Sequence, residues 1–123
     1  MKIISFAWTT EALLAGAKSC TRREWTSAYA RMFRAGELLA AYDRLPRVHG
    51  KQVGVIRLTA DPEWSNEYPE SDYGAEGLAW MERQGQLIQG MQPRQWWREW
   101  VEEKQWYWIV RFTLEPVEAV SGA

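Results

Sequence analysis

Short strand-like runs of apolar residues recur along the chain. Residues 3–8, rich in β-branched and aromatic side chains, predict a first strand, and residues 38–42 and 53–59 predict two more. Residues 105–116 carry apolar side chains at both odd and even positions, which predicts a final strand that is buried on both faces. Residues 19–25 are expected to be extended. The pattern therefore predicts roughly four strands.

Helix-like runs lie between these strands. A short helix is expected over residues 10–16, ending at a glycine, and a second over residues 27–33. Residues 72–88 are the longest helix candidate, and residues 93–104 begin with a proline that suits a first helical turn. The last of these helices has a tryptophan-rich apolar face, made of Trp96, Trp97, Trp100 and Val101.

Two connecting segments have the composition of loops. Residues 44–50 contain proline and glycine, and residues 61–70 contain two prolines with asparagine and serine, which predicts a surface loop. Strands mixed with helices in this way indicate an α+β fold. A chain of 123 residues is close to the commonest domain size, so one domain over residues 1–123 is predicted.

Composition is that of an ordinary globular protein, with 46% hydrophobic and 25% charged residues. Nine tryptophans supply much of the apolar surface that a small core needs. The net charge of −1 gives no general attraction to nucleic acids or anionic membranes, so an RNA partner would need a local basic patch. No apolar run approaches the roughly 20 residues of a bilayer-spanning helix. A cytoplasmic protein without membrane contact is therefore expected.

Few residues are available for metal or cofactor chemistry. One cysteine excludes an internal disulfide bond, and with a single histidine a tetrahedral zinc site is not expected. Cys20 is predicted to be a small apolar core residue rather than a reactive thiol, and His49 is predicted to be exposed and inert. The chain has no phosphate-binding glycine loop. We therefore expect no metal and no cofactor.

Residues 16–23, Gly-Ala-Lys-Ser-Cys-Thr-Arg-Arg, are the strongest candidate for a functional segment. Lysine and arginine are seldom fully buried unless they are paired, yet here they stand between segments that must pack. The alternatives are an exposed Lys18, an ordinary strand threonine at position 21, and a surface ion pair of Arg22 or Arg23 with Glu24. On one flat strand, Lys18 and Thr21 would point to opposite faces. They can therefore meet only if Lys18 precedes the strand or a bulge intervenes.

A second candidate lies within the predicted helix over residues 72–88. Gly77 follows Glu76 there, and a glycine in mid-helix costs about 1 kcal/mol relative to alanine. We therefore expect another part of the chain to approach closely at this point, which favours a functional role for Glu76 over a surface ion pair. Trp8 and Trp25 flank the first segment and are candidates for stacking on a nucleobase, although most of the tryptophans are expected to be core.

Taken in order, these segments resemble a known family. Gly16-x-Lys18-x-x-Thr21-x-Arg23, the Gly-Glu-Leu-Leu segment at 36–39 and the Ala-Glu-Gly segment at 75–77 are similar to motifs of the ASCH domains. These domains are a branch of the PUA-like β-barrel superfamily, which is associated with RNA and nucleotide metabolism. The resemblance implies a small PUA-like β-barrel with peripheral helices and a cleft facing the first motif.

The resemblance also implies a function. Some ASCH relatives are amidohydrolases that remove the acetyl group of N4-acetylcytidine, and by position their catalytic residues correspond to Lys18, Thr21 and Glu76. Arg23, in the same motif, would hold a carbonyl oxygen or a phosphate. Other relatives are reported to be ribonucleases. The sequence therefore predicts a domain that binds RNA or a modified nucleoside and hydrolyses an acylated nucleoside or RNA, with a non-catalytic RNA-binding module as the alternative.

Overall fold

The computed structural model describes residues 1–116, which form a mixed α+β structure. Within these residues six strands form one sheet: β1 (Ile3–Ser5), β2 (Cys20–Arg23), β3 (Leu38–Tyr42), β4 (Gln52–Leu58), β5 (Glu63–Ser65) and β6 (Tyr107–Leu114). The α-helices are α1 (Thr10–Leu14), α2 (Ser27–Ala30), α3 (Ser71–Ala75), α4 (Leu78–Arg83) and α5 (Pro93–Glu103). Short 3-10 helices span Ala7–Thr9 and Pro46–Val48. The predicted α+β class, with helices peripheral to the sheet, is confirmed. The predicted domain end at residue 123 lies outside the described residues.

The sheet follows the order β1-β3-β4-β6-β2. β1 pairs with β3 in parallel, whereas the remaining pairs are antiparallel. β4 and β5 lie along different parts of β6, with Leu58 opposite Phe112 and Trp64 opposite Trp108. The path ends at β1 and β2, and no ladder joins these two strands within residues 1–116. Closure into the predicted barrel is therefore not confirmed.

A side chain, rather than a ladder, connects the two end strands. Arg23 on β2 donates a hydrogen bond from Nη2 to the Ser5 carbonyl oxygen on β1, at 2.6 Å. Behind it, the rings of Phe6 and Phe112 meet edge to face with centroids 5.5 Å apart. A side-chain hydrogen bond thus links the two end strands, and the Phe6 ring lies beneath the Arg23 guanidinium that makes it.

One face of the sheet covers an apolar core, here called the sheet core. Alternate strand residues point into it, and Leu13 of α1 and Phe33, which follows α2, complete it. Its residues are Ile4, Phe6, Leu13, Phe33, Leu39, Ala41, Ile56, Leu58, Val110 and Phe112. A second cluster, the helical core, lies among the last three helices and consists of Tyr73, Leu78, Met81, Ile88 and Trp97. The predicted tryptophan face of α5 contributes to it, because Trp96, Trp100 and Val101 pack against it.

Most predicted elements are confirmed, with shifts of a few residues at their ends. The single helix predicted over residues 72–88 is wrong, because Gly77 has a φ of +92° and divides it into α3 and α4. The surface loop predicted over residues 61–70 is wrong at its centre, where β5 pairs with β6. The first strand is shorter than the predicted 3–8, because Ala7, with φ +47°, starts a 3-10 helix. None of the helices within residues 1–116 has the length and apolar character needed to cross a membrane.

Candidate functional site

A cavity of about 250 Å³ opens beside the gap between β1 and β2. Its walls include the end of β1, the 3-10 helix over Ala7–Thr9, and residues of β2. Five of the six predicted site residues line it: Trp8, Lys18, Thr21, Arg23 and Glu76. They reach it from three separate parts of the chain, so this convergence depends on the fold rather than on local sequence.

Lys18 lies in the connection between α1 and β2, not on the strand itself. Because Lys18 is not part of the strand, the alternation of strand side chains does not force it to the face opposite Thr21. The two side chains can therefore line the same cavity. Lys18 is only 4% exposed, and its Nζ donates hydrogen bonds to the Glu76 carbonyl oxygen at 2.8 Å and to Glu76 Oε1 at 3.2 Å. Burial lowers the pKa of Lys18 below its usual value, although the Glu76 carboxylate opposes the shift.

Glu76 caps the C-terminus of α3 and is followed by the left-handed turn at Gly77. A Cβ atom at Gly77 would stand 2.9 Å from Ala12 Cβ and 3.4 Å from Lys18 Cβ. The expected close approach at this glycine is therefore confirmed, and α1 and Lys18 are the groups that approach. The absence of a side chain at position 77 lets Lys18 reach the Glu76 main chain.

Thr21 and Arg23 lie on the same face of β2, and Thr21 is buried. Thr21 Oγ1 accepts a hydrogen bond from Arg23 Nε at 3.1 Å. Arg23 also lies over the Phe6 ring, with its guanidinium carbon 5.6 Å from the ring centroid. Both groups line the cavity, but within residues 1–116 no hydrogen bond joins Lys18 Nζ to the Thr21 hydroxyl.

Arg22, which the sequence does not single out, is buried on the opposite face of β2. Arg22 donates to Glu76 Oε2 at 2.6 Å, to Asp72 Oδ2 at 2.7 Å and to the Glu67 carbonyl oxygen at 3.1 Å. Arg111 on β6 makes two further bonds to Asp72, both at 3.0 Å. We call these five groups the ionic seam: Lys18, Arg22, Asp72, Glu76 and Arg111.

The sequence also allowed a surface ion pair of Arg22 or Arg23 with Glu24. The structure shows the buried contacts of Arg22 instead. Glu24 is exposed and accepts instead from the Gln105 side chain, at 2.6 Å. The only local indication of the seam is that Arg22 shares its strand face with the buried Cys20. Its carboxylate partners lie 50 and 54 positions along the chain. No periodicity in the sequence can join groups so far apart.

Burial and pairing shift the ionisation of the groups around the seam. Burial, followed by the Glu76 and Asp72 charges, raises the pKa of the Cys20 thiol far above its usual value. Cys20 is therefore a neutral thiol, as expected of a core residue and not of a nucleophile. Burial alone would raise the pKa of Asp72, but hydrogen bonds from Arg111 and Arg22 outweigh it and lower that pKa. Asp72 is therefore ionised.

The two predicted stacking residues occupy different environments. Trp8 is 44% exposed and lines both the cavity and an adjoining hollow of about 820 Å³. It rests edge to face on Trp96, with ring centroids 5.7 Å apart. Trp25 does not line the cavity, because it stacks on Phe33 at 4.5 Å and packs against the sheet core. Of these two residues only Trp8 lines the cavity, and Trp100 of α5 lines it as well.

Comparison with known proteins gives a likeness of fold. No family model matches this chain, and no curated protein matches it. The structure is similar to the crystal structure of protein EF3133 from Enterococcus faecalis V583, described by the family model DUF984. The two chains are 17% identical, with a TM-score of 0.56 over 92% of this chain and 78% of that chain. At this level of identity the likeness shows a shared fold and carries no function.

Proposed function

We propose that the cavity binds a modified nucleoside and that the protein is an amidohydrolase that removes its acyl group. The observation that carries this proposal is the meeting of Lys18, Thr21 and Glu76 in one cavity, with Lys18 almost completely buried. A desolvated lysine is a suitable general base, and a threonine hydroxyl needs such a base to become a nucleophile. Glu76 holds the amine in place through two hydrogen bonds.

The size of the cavity favours a small substrate. Its volume of about 250 Å³ is below the roughly 300–1,000 Å³ of pockets that hold drug-sized ligands. A single base with a short acyl group suits such a space better than a folded RNA does. Trp8 at the rim offers an exposed indole on which a nucleobase can stack.

The proposed reaction takes place in two halves. The Thr21 oxygen attacks the acyl carbon while its proton passes to the uncharged Lys18 amine, and the Arg23 guanidinium donates to the developing oxyanion. When the carbon–nitrogen bond breaks, Lys18 returns the proton to the leaving nitrogen. Water then attacks the resulting Thr21 ester and gives a proton to Lys18. Lys18 passes this proton to the threonine oxygen as the carboxylic acid leaves.

A second candidate function is a non-catalytic module that binds a base of single-stranded RNA. The observation in its favour is that Thr21 Oγ1 accepts from Arg23 while Lys18 Nζ is directed to Glu76. Nucleophile and base are therefore not hydrogen-bonded to each other in this structure, although such bonds often form only when substrate binds. In this function, Arg23 and Trp8 would contact the ligand and Lys18 would have no proton to transfer.

We also propose that the sheet is an opened form of a PUA-like barrel, as the resemblance to the ASCH domains implies. The single enclosed sheet core and the Arg23 bridge between β1 and β2 support this relationship. In that arrangement the cavity occupies the opening of the barrel.

The test is incubation of the purified protein with N4-acetylcytidine, with cytidine release followed by chromatography. We expect hydrolysis that Lys18→Ala and Thr21→Ala each reduce by at least about 100-fold. Activity is expected to rise with pH through the lowered pKa of Lys18, because only the uncharged amine accepts a proton. Ser19→Ala is the matched control, since Ser19 is an exposed hydroxyl in the same segment and does not line the cavity.

Other outcomes discriminate between the candidates. Binding of single-stranded RNA without turnover, with an affinity that falls as salt rises, would support the RNA-binding module. Failure to bind or hydrolyse either ligand would contradict both candidates. Loss of activity in Ser19→Ala to the same extent as in Thr21→Ala would indicate a general disturbance of the segment instead of loss of a nucleophile.

A further inference from the structure

Two cations share the Glu76 carboxylate, and they do so unequally. Arg22 Nη1 lies 2.6 Å from Oε2, whereas Lys18 Nζ lies 3.2 Å from Oε1. The shorter bond of Lys18, at 2.8 Å, is to the uncharged carbonyl oxygen of Glu76. An amine makes that bond whether or not it carries a charge. Arg22, not Lys18, is therefore the main counter-ion of this carboxylate.

The charges of the ionic seam balance without Lys18. Asp72 and Glu76 supply two negative charges, and Arg22 and Arg111 supply two positive ones that persist at any ordinary pH. A charged Lys18 would add an uncompensated cation in a buried position. The charged and titratable groups that act directly on Lys18 are Glu76, Cys20 and Arg23. Arg22 bonds to Glu76 and to Asp72, and Asp72 bonds to Arg111. Arg23 is positive and disfavours a charge on Lys18.

The Arg22 guanidinium is held firmly in this role. Its second amino group binds Asp72, its side chain is only 1% exposed, and its plane lies over the Tyr68 ring at 4.7 Å. Replacing buried ion pairs by apolar residues is often neutral or stabilising, so stability alone does not account for the arrangement. A role in controlling a nearby group accounts for it better.

We infer that Arg22, fixed by Asp72, neutralises Glu76 and thereby leaves Lys18 free to act as an uncharged base. Arg22 and Asp72 are positioning residues in this scheme, because they act on the reaction through Glu76 and Lys18. The inference rests on the proposed function for its catalytic meaning. Its electrostatic part concerns the ionisation of Lys18 alone and can be measured without any substrate.

The test uses the double variant Arg22→Gln/Asp72→Asn, which removes the guanidinium from Glu76 and, by taking out one cation and one anion, leaves the net charge of the seam unchanged. Lysine labelled with ¹³C at Cε gives signals from four positions, Lys2, Lys18, Lys51 and Lys104, and Lys18→Met assigns the buried one. In the double variant Lys18 becomes the sole cation on Glu76, so its titration midpoint moves to higher pH. Hydrolysis at pH 7 falls about tenfold and recovers as the pH is raised.

Arg111→Gln/Asp72→Asn is the matched control, because it also removes one cation and one anion from the seam but leaves Arg22 on Glu76. It leaves the Lys18 midpoint unchanged, and melting temperatures show that each variant is folded. An unchanged Lys18 midpoint in the folded Arg22→Gln/Asp72→Asn variant overturns the inference. Should the midpoint move while the wild-type protein hydrolyses no acylated nucleoside, the proposed function fails and the electrostatic role of Arg22 is supported.

Discussion

The sheet core and the ionic seam lie on opposite faces of neighbouring strands, and both are largely buried apart from the partly exposed Arg111 side chain. Their chemistry is opposite. Val110 and Phe112 on β6 point into a wholly apolar cluster, whereas Arg111 between them reaches Asp72. On β2, Thr21 and Arg22 point to opposite faces, and Arg22 bonds to Asp72 although it also contributes to the lining of the cavity. One pair of strands thus separates an apolar core from a set of paired charges.

The two regions contribute differently to stability. Burial of apolar side chains in the sheet core is favourable in itself, at about 25 cal/mol per Å². Taking charges from water is costly, and their mutual attraction offsets this cost only with good geometry. The sheet core is therefore the main source of folding stability. The ionic seam costs desolvation free energy, and its role lies in the candidate functional site.

The largest effect is expected in the sheet core. Phe112→Ala removes a ring that is 1% exposed and packs on Phe6, and it should lower the free energy of unfolding by about 3–5 kcal/mol. Urea denaturation followed by tryptophan fluorescence measures the change. Met32→Ala, at a residue 59% exposed, is the control and should change it by less than about 0.5 kcal/mol. A loss below about 1 kcal/mol in Phe112→Ala would show that the core is not the main source of stability.

An intermediate effect is expected where the helices meet the seam. Gly77→Ala forces a Cβ into a backbone with φ +92° and to within 2.9 Å of Ala12. We expect a loss of roughly 2–4 kcal/mol, the sum of left-handed strain and overpacking. Gly85→Ala, with φ +70° and no heavy atom within 4 Å of the added Cβ, isolates the strain and should lose about 1–2 kcal/mol. Equal losses, measured by chemical denaturation, would show that the close approach of Ala12 and Lys18 has no energetic weight.

The smallest effect is a dependence of stability on pH that belongs to Lys18. Because the folded protein holds this pKa below the usual 10.5, the unfolded chain binds more protons in the interval between the two values. The free energy of unfolding therefore rises with pH across that interval, by at most about 1.4 kcal/mol per pH unit. Below it, the contribution of Lys18 is unfavourable and constant.

Lys18→Met removes this slope, so urea midpoints of the wild-type protein and the variant should converge or cross as the pH rises from neutral to alkaline. Lys51→Met, at an exposed lysine, should run parallel to the wild-type protein. Parallel curves for Lys18→Met as well would mean that burial does not alter the ionisation of Lys18, and the proposed base would lose its support.

Elements with strong local periodicity were predictable from the sequence. β3 has the predicted bounds of residues 38–42, and α5 begins at the predicted Pro93. Both depend on side-chain alternation or on a start signal that lies within the element. β5 was missed because its three residues have no such pattern and are a strand only by pairing with β6. The sequence indicated an unusual position at Gly77. A helical pattern does not reveal the positive φ of this residue, which separates α3 from α4.

The site divides in the same way. By itself the sequence determined the order of the chemical groups, with Lys18, Thr21 and Arg23 in one segment and Glu76 in another. It also indicated that another part of the chain lies close to Gly77. Tertiary structure alone decided that these groups line one cavity and that Arg22, not Lys18, is the nearer cation of Glu76. The physical reason is range: backbone periodicity acts over a few residues, whereas the ionisation of a buried group depends on charges that the fold brings within a few ångströms from distant parts of the chain.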